Sequence, residues 1–305
     1  MLIINMMKQY SIVLFLFLIQ SSASACDACG CSAGGAYFGI LPMYQRHFVG
    51  MRYQSRTFQS SHIYNDPDPS KEHFQTLDIW GRFYPSPRWQ VFGFLPYNVF
   101  EKNELGKNLK TNGLGDISLI ANYAVLNTGD SLFHRFRHTL MVGGGAKMPT
   151  GKHSFKDADG SALNPNMQTG TGSWDFIASA NYTLRFQKQG IFTDFNARLN
   201  TKNTEGYRFG HRLSTTVKYF YWFELPEGVL MPSIGAYNEW TGKDSDRGKN
   251  VGDNSGSATF GSVGLDFYYK KVAVSGLFQT PIHQNIGDGL VKAQNRLSLN
   301  VSYLF

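Results

Sequence analysis

The three cysteines of this chain, Cys26, Cys29 and Cys31, fall within six residues of one another in "CDACGCSAGG". None follows in the remainder of the 305-residue sequence. Thiolates favour soft and borderline ions, and C-x-x-C-x-C brings three sulfurs within reach of one Cu(I) or Zn(II). His47, Met43 and Asp27 are the candidate fourth ligands. Two other chemistries fit the same residues. In an oxidising compartment two of the thiols would pair as a disulfide and leave one over. "SASAC" is also a permissive match to a bacterial lipoprotein cleavage box, with Ala23 where leucine is usual. Acylation of Cys26 would leave Cys29 and Cys31 as an even pair. The choice among metal, disulfide and lipid depends on the compartment, and so on the elements that follow.

The chain begins with an export signal. Lys8 supplies the positive start, "SIVLFLFLI" (11–19) the apolar stretch, and Ala23-Ser24-Ala25 a small-residue cleavage site. That apolar run is too short to span a bilayer. Residues 1–25 are therefore expected to be a signal peptide, and 26–46 a periplasmic N-terminal segment carrying the cysteines. Charged residues make up only 17% of the chain and aromatics 15%, with 32 glycines. A mean hydropathy below zero excludes a bundle of transmembrane helices. The net charge of +7 is modest, and no Lys/Arg run interleaves with aromatics, so nucleic acid is not an expected partner.

Beyond residue 46 the dominant period is two. In "DISLIANYAV", Ile117, Leu119, Ala121, Tyr123 and Val125 alternate with Asp116, Ser118, Ile120, Asn122 and Ala124. "WDFIASANYTLR" and "RLSTTVKYFY" alternate in the same way. The pattern predicts about twelve strands, at 47–58, 74–84, 89–99, 116–126, 137–148, 173–185, 191–201, 208–222, 229–241, 259–269, 272–281 and 294–305. Each is long enough for a tilted strand to cross a bilayer. Connection length keeps step with parity. "PSPR", "QKQG", "ELPEG" and "KK" join one set, while "SSHIYNDPDPSKEH", "EKNELGKNLKTNG", "PTGKHSFKDADGSALNPNMQTG" and "TGKDSDRGKNVGDNSG" join the other. Short periplasmic turns and long external loops are the outer-membrane pattern. "NTGDSLFHRF" is long for a turn and "KNTEGY" short for an external loop. The predicted fold is all-β, a single-chain antiparallel transmembrane barrel over residues 47–305, in the bacterial outer membrane and surrounded by its lipid.

The last strand, "NRLSLNVSYLF", puts Leu297, Leu299, Val301, Tyr303 and the terminal Phe305 on one face. An amphipathic strand ending on an aromatic residue resembles the C-terminal signal through which the barrel-assembly machinery recognises its clients. Trp89, Tyr97, Trp174, Tyr219, Trp222, Trp240 and Tyr303 fall near strand ends, where interfacial girdles sit. The opposite face collects Arg52, Arg56, Asp78, Arg82, Asp116, Lys147, Asp175, Arg185, Asp194, Arg198, Arg212, Lys218, Glu239, Asp266 and Arg296. Mixed charge there means a hydrated or salt-bridged interior. Arg52, Arg82, Asp116, Asp175, Asp194, Arg198 and Arg212 are the candidate lumen and substrate-path residues, with pairing across the wall as the competing role. Tyr37, Phe38 and Met43, in the apolar "AGGAYFGILPMYQRH", are the candidate plug; the competing reading lays that segment on the periplasmic rim.

"GLGD" at Gly113-Leu114-Gly115-Asp116 opens the strand "ISLIANY", and the partner strand runs into Pro149-Thr150-Gly151. This pair of motifs resembles the outer-membrane transporter family associated with aromatic (phenol meta-pathway) degradation. The resemblance covers about residues 75–305 and implies a barrel that passes small, often hydrophobic molecules. The cysteine cluster departs from that family's pattern.

Enzymatic readings find little support. His211 and Ser214 lie three apart in a strand and so face opposite sides. Asp157 and Asp159 in "KDADG" lack the glutamate that would complete a calcium loop. The sequence therefore points to an outer-membrane channel for a small molecule, either a hydrophobic compound or a heavy-metal ion handled through the cysteines. The reading from a different class is a closed structural or adhesive barrel acting through its loops. Metal content and thiol state of protein taken from outer membranes separate the cysteine chemistries. One copper or zinc per chain, lost in the Cys26/Cys29/Cys31→Ser variant, marks a metal site. A metal-free chain with a disulfide or an acylated Cys26 marks a staple or an anchor.

Overall fold

A computed structural model describes residues 46–61, 68–104, 106–128, 135–156, 160, 162–251 and 255–305. Its main sheet contains twelve long strands: β1 (Phe48–Ser60), β2 (Ser70–Ser86), β3 (Trp89–Glu104), β4 in two pieces (Lys107–Leu114 and Ser118–Asn127), β5 (Phe136–Lys147), β6 (Asp175–Phe186), β7 (Gln189–Asn200), β8 (Arg212–Tyr221), β9 (Gly228–Thr241), β10 (Gly256–Tyr269), β11 (Val272–Ile286) and β12 (Val291–Leu304). Each pairs antiparallel with its sequence neighbours, and β12 pairs back onto β1 from Phe48↔Leu304 to Ser60↔Val291. The ring is closed. Lipid offers backbone N–H and C=O groups no partner, so a sheet crossing it can have no free edge.

Alternation sorts the side chains as the sequence implies. Met51, Val301, Ile234 and Val263 are each more than half exposed on the outer face, and lipid covers them there. Phe48, Arg52, Phe58, Phe74, Asp78 and Phe92 are buried on the inner face. Trp89, Tyr97, Trp174, Tyr219, Trp240 and Tyr303 are exposed outward. Trp222 departs from the expected girdle: Arg185, an inward residue, stacks its guanidinium 4.9 Å from the Trp222 ring. At the short-turn end the Tyr269 hydroxyl donates to Glu227 at 2.6 Å and Lys270 lies 3.2 Å away. These two contacts hold the Glu227 carboxyl below its usual range and tie neighbouring turns together. The terminal Phe305 donates its N–H to the His47 carbonyl at 3.0 Å, so the end of the chain is stitched to its first strand.

Three predicted boundaries are corrected. Residues 101–104 and 107–113, expected in a loop, are a ladder that continues β3 and forms the first piece of β4. Residues 282–293, also expected as a connection, are the ends of β11 and β12 joined through Gly287–Gly289. Arg208, assigned to the eighth strand, and Tyr207, expected in the connection before it, instead pair with Ser245 and Asp246 in a small external sheet completed by Lys249–Val251. Cys26, Cys29, Cys31, Tyr37, Phe38 and Met43 lie outside the described residues, as do Asp157 and Asp159.

The outward row at mid-barrel gives a direct test of lipid exposure. Val263, in register with Ile234 and Phe278, lies at the middle of β10. Val263→Lys should lower folding stability by about 2–4 kcal/mol, while Val263→Leu is near neutral. Equilibrium denaturant unfolding from phospholipid vesicles measures both.

Candidate functional site

The interior is layered. An apolar layer near the short turns contains Phe48, Trp80, Phe92, Phe94, Phe192, Phe220 and Leu304. A second, towards the long loops, contains Phe58, Phe74, Phe100, Met167, Tyr237, Phe260 and Val291. Charged residues occupy the wall between and beside these layers, and most are held in place by ion pairs or aromatic faces.

Arg52 donates from Nε and Nη2 to Asp78 Oδ2 at 3.0 and 2.8 Å, and its guanidinium lies 5.1 Å over Trp80. Arg82 sits over Phe48 and Tyr84 and donates to the Arg46 carbonyl, which fixes the first described residue at the rim. Buried Lys218 interacts with the carboxylates of Asp194 and Asp266. Asp194 also accepts from Asn196 Nδ2 at 2.5 Å. Arg198 and Arg212 are register partners on adjacent strands. Arg296 grips Glu239 through two donors at 3.0 and 2.5 Å and lies 3.9 Å over Phe260.

Asp116 and Asp175 are brought together. Lys147 Nζ lies 2.7 Å from a carboxylate oxygen of each. Asp116 also accepts the backbone N–H groups of Gly151 and Thr171, both at 2.9 Å, and the Thr171 hydroxyl at 2.8 Å. Asp175 accepts from Ser173 Oγ at 2.9 Å and Thr201 N at 3.1 Å. The segment between β5 and β6, expected as a solvated external loop, therefore folds onto the inner wall over its described residues. Its Met167 is buried in the outer apolar layer, and its carbonyls at Met167 and Thr169 accept from Thr111 and Asn98.

The two resemblance motifs meet in this knot. Thr150 Oγ1 accepts from Ile117 N at 2.9 Å and donates to the Gly115 carbonyl at 3.1 Å. Backbone packs directly on backbone here: a Cβ on Gly151 would lie 2.7 Å from Gly170 Cα, and one on Gly170 2.4 Å from Gly151 C. Glycine is required at both positions. The spacing of the motifs carried a signal for this contact, whereas nothing in it marked Thr171, between the loop and the sixth predicted strand, or Ser173, the first residue of that strand. His211, meanwhile, accepts from Asn200 N at 3.1 Å and contacts Arg208, while Ser214 is buried on the inner wall.

A closed twelve-stranded sheet with an apolar outer face and a charged, loop-narrowed interior is an outer-membrane β-barrel. Its fold is similar to that of the COG4313 outer membrane channel from Pseudomonas putida F1, with a TM-score of 0.64 at 16% identity over 88% of this chain and 98% of that one. It is also similar to the beta domain of the Bordetella autotransporter BrkA, with a TM-score of 0.53 at 12% identity over 85% of this chain and all of that domain (100%). No protein-family model and no curated protein matches the chain.

The knot predicts a specific lesion. Asp116→Ala would leave Lys147 with one carboxylate and strand two loop N–H groups, at a cost of about 3–5 kcal/mol. Thr171→Val should cost about 1 kcal/mol. Limited proteolysis of the folded barrel should cut within 148–173 much faster in Asp116→Ala than in the parent, and denaturant unfolding gives the energies.

Proposed function

We propose that the barrel is a channel for a small molecule with an apolar body, moving passively along a path narrowed by the 148–173 segment. The observation that carries this reading is the pairing of inner-wall charge combined with two aromatic layers. Arg52 with Asp78 and Arg296 with Glu239 pair one to one, and Lys147 lies between Asp116 and Asp175, so these wall charges face one another. Such a wall offers an ion little fixed counter-charge, while its aromatic rings offer an apolar solute contact area. Arg198 and Arg212, adjacent cations, are the path residues suited to orient a polar substituent on that solute. The fold shared with the COG4313 outer membrane channel supports the same class.

The competing proposal is heavy-metal handling through Cys26, Cys29 and Cys31, with copper or zinc as the bound ion, which would act at the N-terminal segment rather than through this wall. The strand ending at Phe305 is proposed as the element by which the assembly machinery recognises the chain.

Cells producing the protein should take up the apolar dye N-phenylnaphthylamine through their lipopolysaccharide-covered outer membrane faster than cells without it. Equal rates would mark a closed barrel that works through its loops. If 26–46 is a plug, its deletion should raise both dye uptake and planar-bilayer conductance; unchanged values place that segment on the rim.

A further inference from the structure

At one level of the inner wall the signs do not balance. Arg56 and Arg296 are register partners on β1 and β12, and like charges placed directly opposite destabilise a sheet. Arg198 and Arg212 repeat the arrangement on β7 and β8. The two pairs approach each other inside the barrel, where Arg212 and Glu239 both act on the charges of Arg56 and Arg296. Glu239 is already occupied. It takes both donors of Arg296 and accepts the Tyr237 hydroxyl at 2.9 Å. Three guanidiniums, those of Arg56, Arg212 and Arg296, thus gather about one carboxylate. The Arg56 Nε is buried there with no hydrogen-bond partner among the described residues.

A pocket opens at this cluster. Arg212, Ser214, Tyr237 and Glu239 give it a polar side, while Phe58, Ile286 and Val291 bring the outer apolar layer to its other side. Arg296 links the two, its guanidinium lying 5.6 Å over the Phe58 ring. The depth follows from Trp240, which adjoins Glu239 in sequence and is exposed on the outer face at the long-loop end. Tryptophans so placed mark the membrane interface, so the pocket lies near the external mouth of the barrel.

We propose that this pocket binds a small apolar monocarboxylate, with its ionised head on Arg212 in the field of Arg56 and Arg296 and its apolar body against Phe58, Ile286 and Val291. The proposal rests on the channel reading above and names the substituent that the solute carries. An excess of buried cations is costly to the empty wall, and an anion from solution completes the set. Guanidinium suits this head group, because its planar fork can place two parallel N–H donors on one carboxylate. Such a solute is also the one that needs a protein path. An ionised carboxylate entering hydrocarbon costs far more than the uncharged body to which it is attached.

The test uses the full-length protein in phospholipid vesicles, with benzoate as the probe. A ligand that binds only the folded barrel raises its apparent stability. Benzoate should therefore shift the denaturant midpoint of the parent upward. Benzamide, which lacks the charge, and acetate, which lacks the apolar body, should not at equal concentration. Arg212→Gln should abolish the benzoate shift, and Arg56→Gln should weaken it severalfold. Both variants should fold, since each removes one cation from an excess, and the different gel mobility of heated and unheated protein checks this. In planar bilayers benzoate should lower the chloride current of the parent and leave that of Arg212→Gln unchanged. An equal shift with acetate or benzamide overturns the proposal, as does a benzoate shift that survives in Arg212→Gln. N-phenylnaphthylamine uptake without any benzoate shift overturns this site and leaves the channel. A benzoate shift in a barrel that passes neither dye nor ions keeps the site and overturns the channel.

Discussion

Everything in this molecule follows from the absence of water in a bilayer core. A backbone carbonyl or N–H left without a partner there costs several kcal/mol, so the sheet must close on itself. Closure falls on the first and last strands: β1 and β12 are the pair farthest apart in sequence, and the Phe305 N–H reaches the His47 carbonyl at the end of their ladder. Alternation then has no freedom left. With lipid outside, the outward parity must be apolar where the strands cross it, and the buried charges of the strands lie on the inner face.

That confinement creates the second problem, a crowd of buried charges in a narrow space. Removing one charge of a buried pair is far more damaging than removing both, so the inner wall must be built as complete sets. Arg52 and Asp78 sit on adjacent strands, as do Lys147, Asp116 and Asp175 on β5, the β4 break and β6. The Lys147 set differs from the others in what it holds. Asp116 uses its remaining lone pairs on loop N–H groups, so the charge that neutralises the wall also fixes a segment inside the barrel. An apolar substitute of equal volume would fill the space without specifying where the loop lies.

Much of this was readable from period two alone. The inward charges, the lipid-facing rows and the closing strand all follow from parity, because one face of each strand is set by lipid. Trp222 shows parity prevailing over residue type: it lies an even number of residues from Phe220 and Lys218, both inward, and faces with them although tryptophan suggests an interface. The ends of β11 and β12 were hidden for a related reason. Inward residues are Ala273 and Leu277 low on β11 but Ile286 at its top, and Val291 and Ala293 at the top of β12 but Arg296 and Asn300 below. Each strand changes parity part-way, so a window of alternation sees its end as a loop. The Gly151–Gly170 contact escaped reading differently. It depends on an approach between residues nineteen apart, and only the folded wall shows why neither can carry a side chain.

Two places in the described wall interrupt the ladder over several residues, and their contrast is instructive. Between Leu114 and Ser118 the break in β4 is filled: Gly115 donates to the Pro96 carbonyl, Thr150 accepts from Ile117, and the inward loop packs behind. Between Thr280 and Asn285 the fill is one glutamine. A bulge in one strand alone would shift its partner's register and turn apolar and polar faces the wrong way for the rest of the pair. Matched parity changes in β11 and β12 avoid that, because regular pairing resumes at Ile286↔Val291 with both side chains inward. The wall thus tolerates a thin patch without losing its alternation above or below.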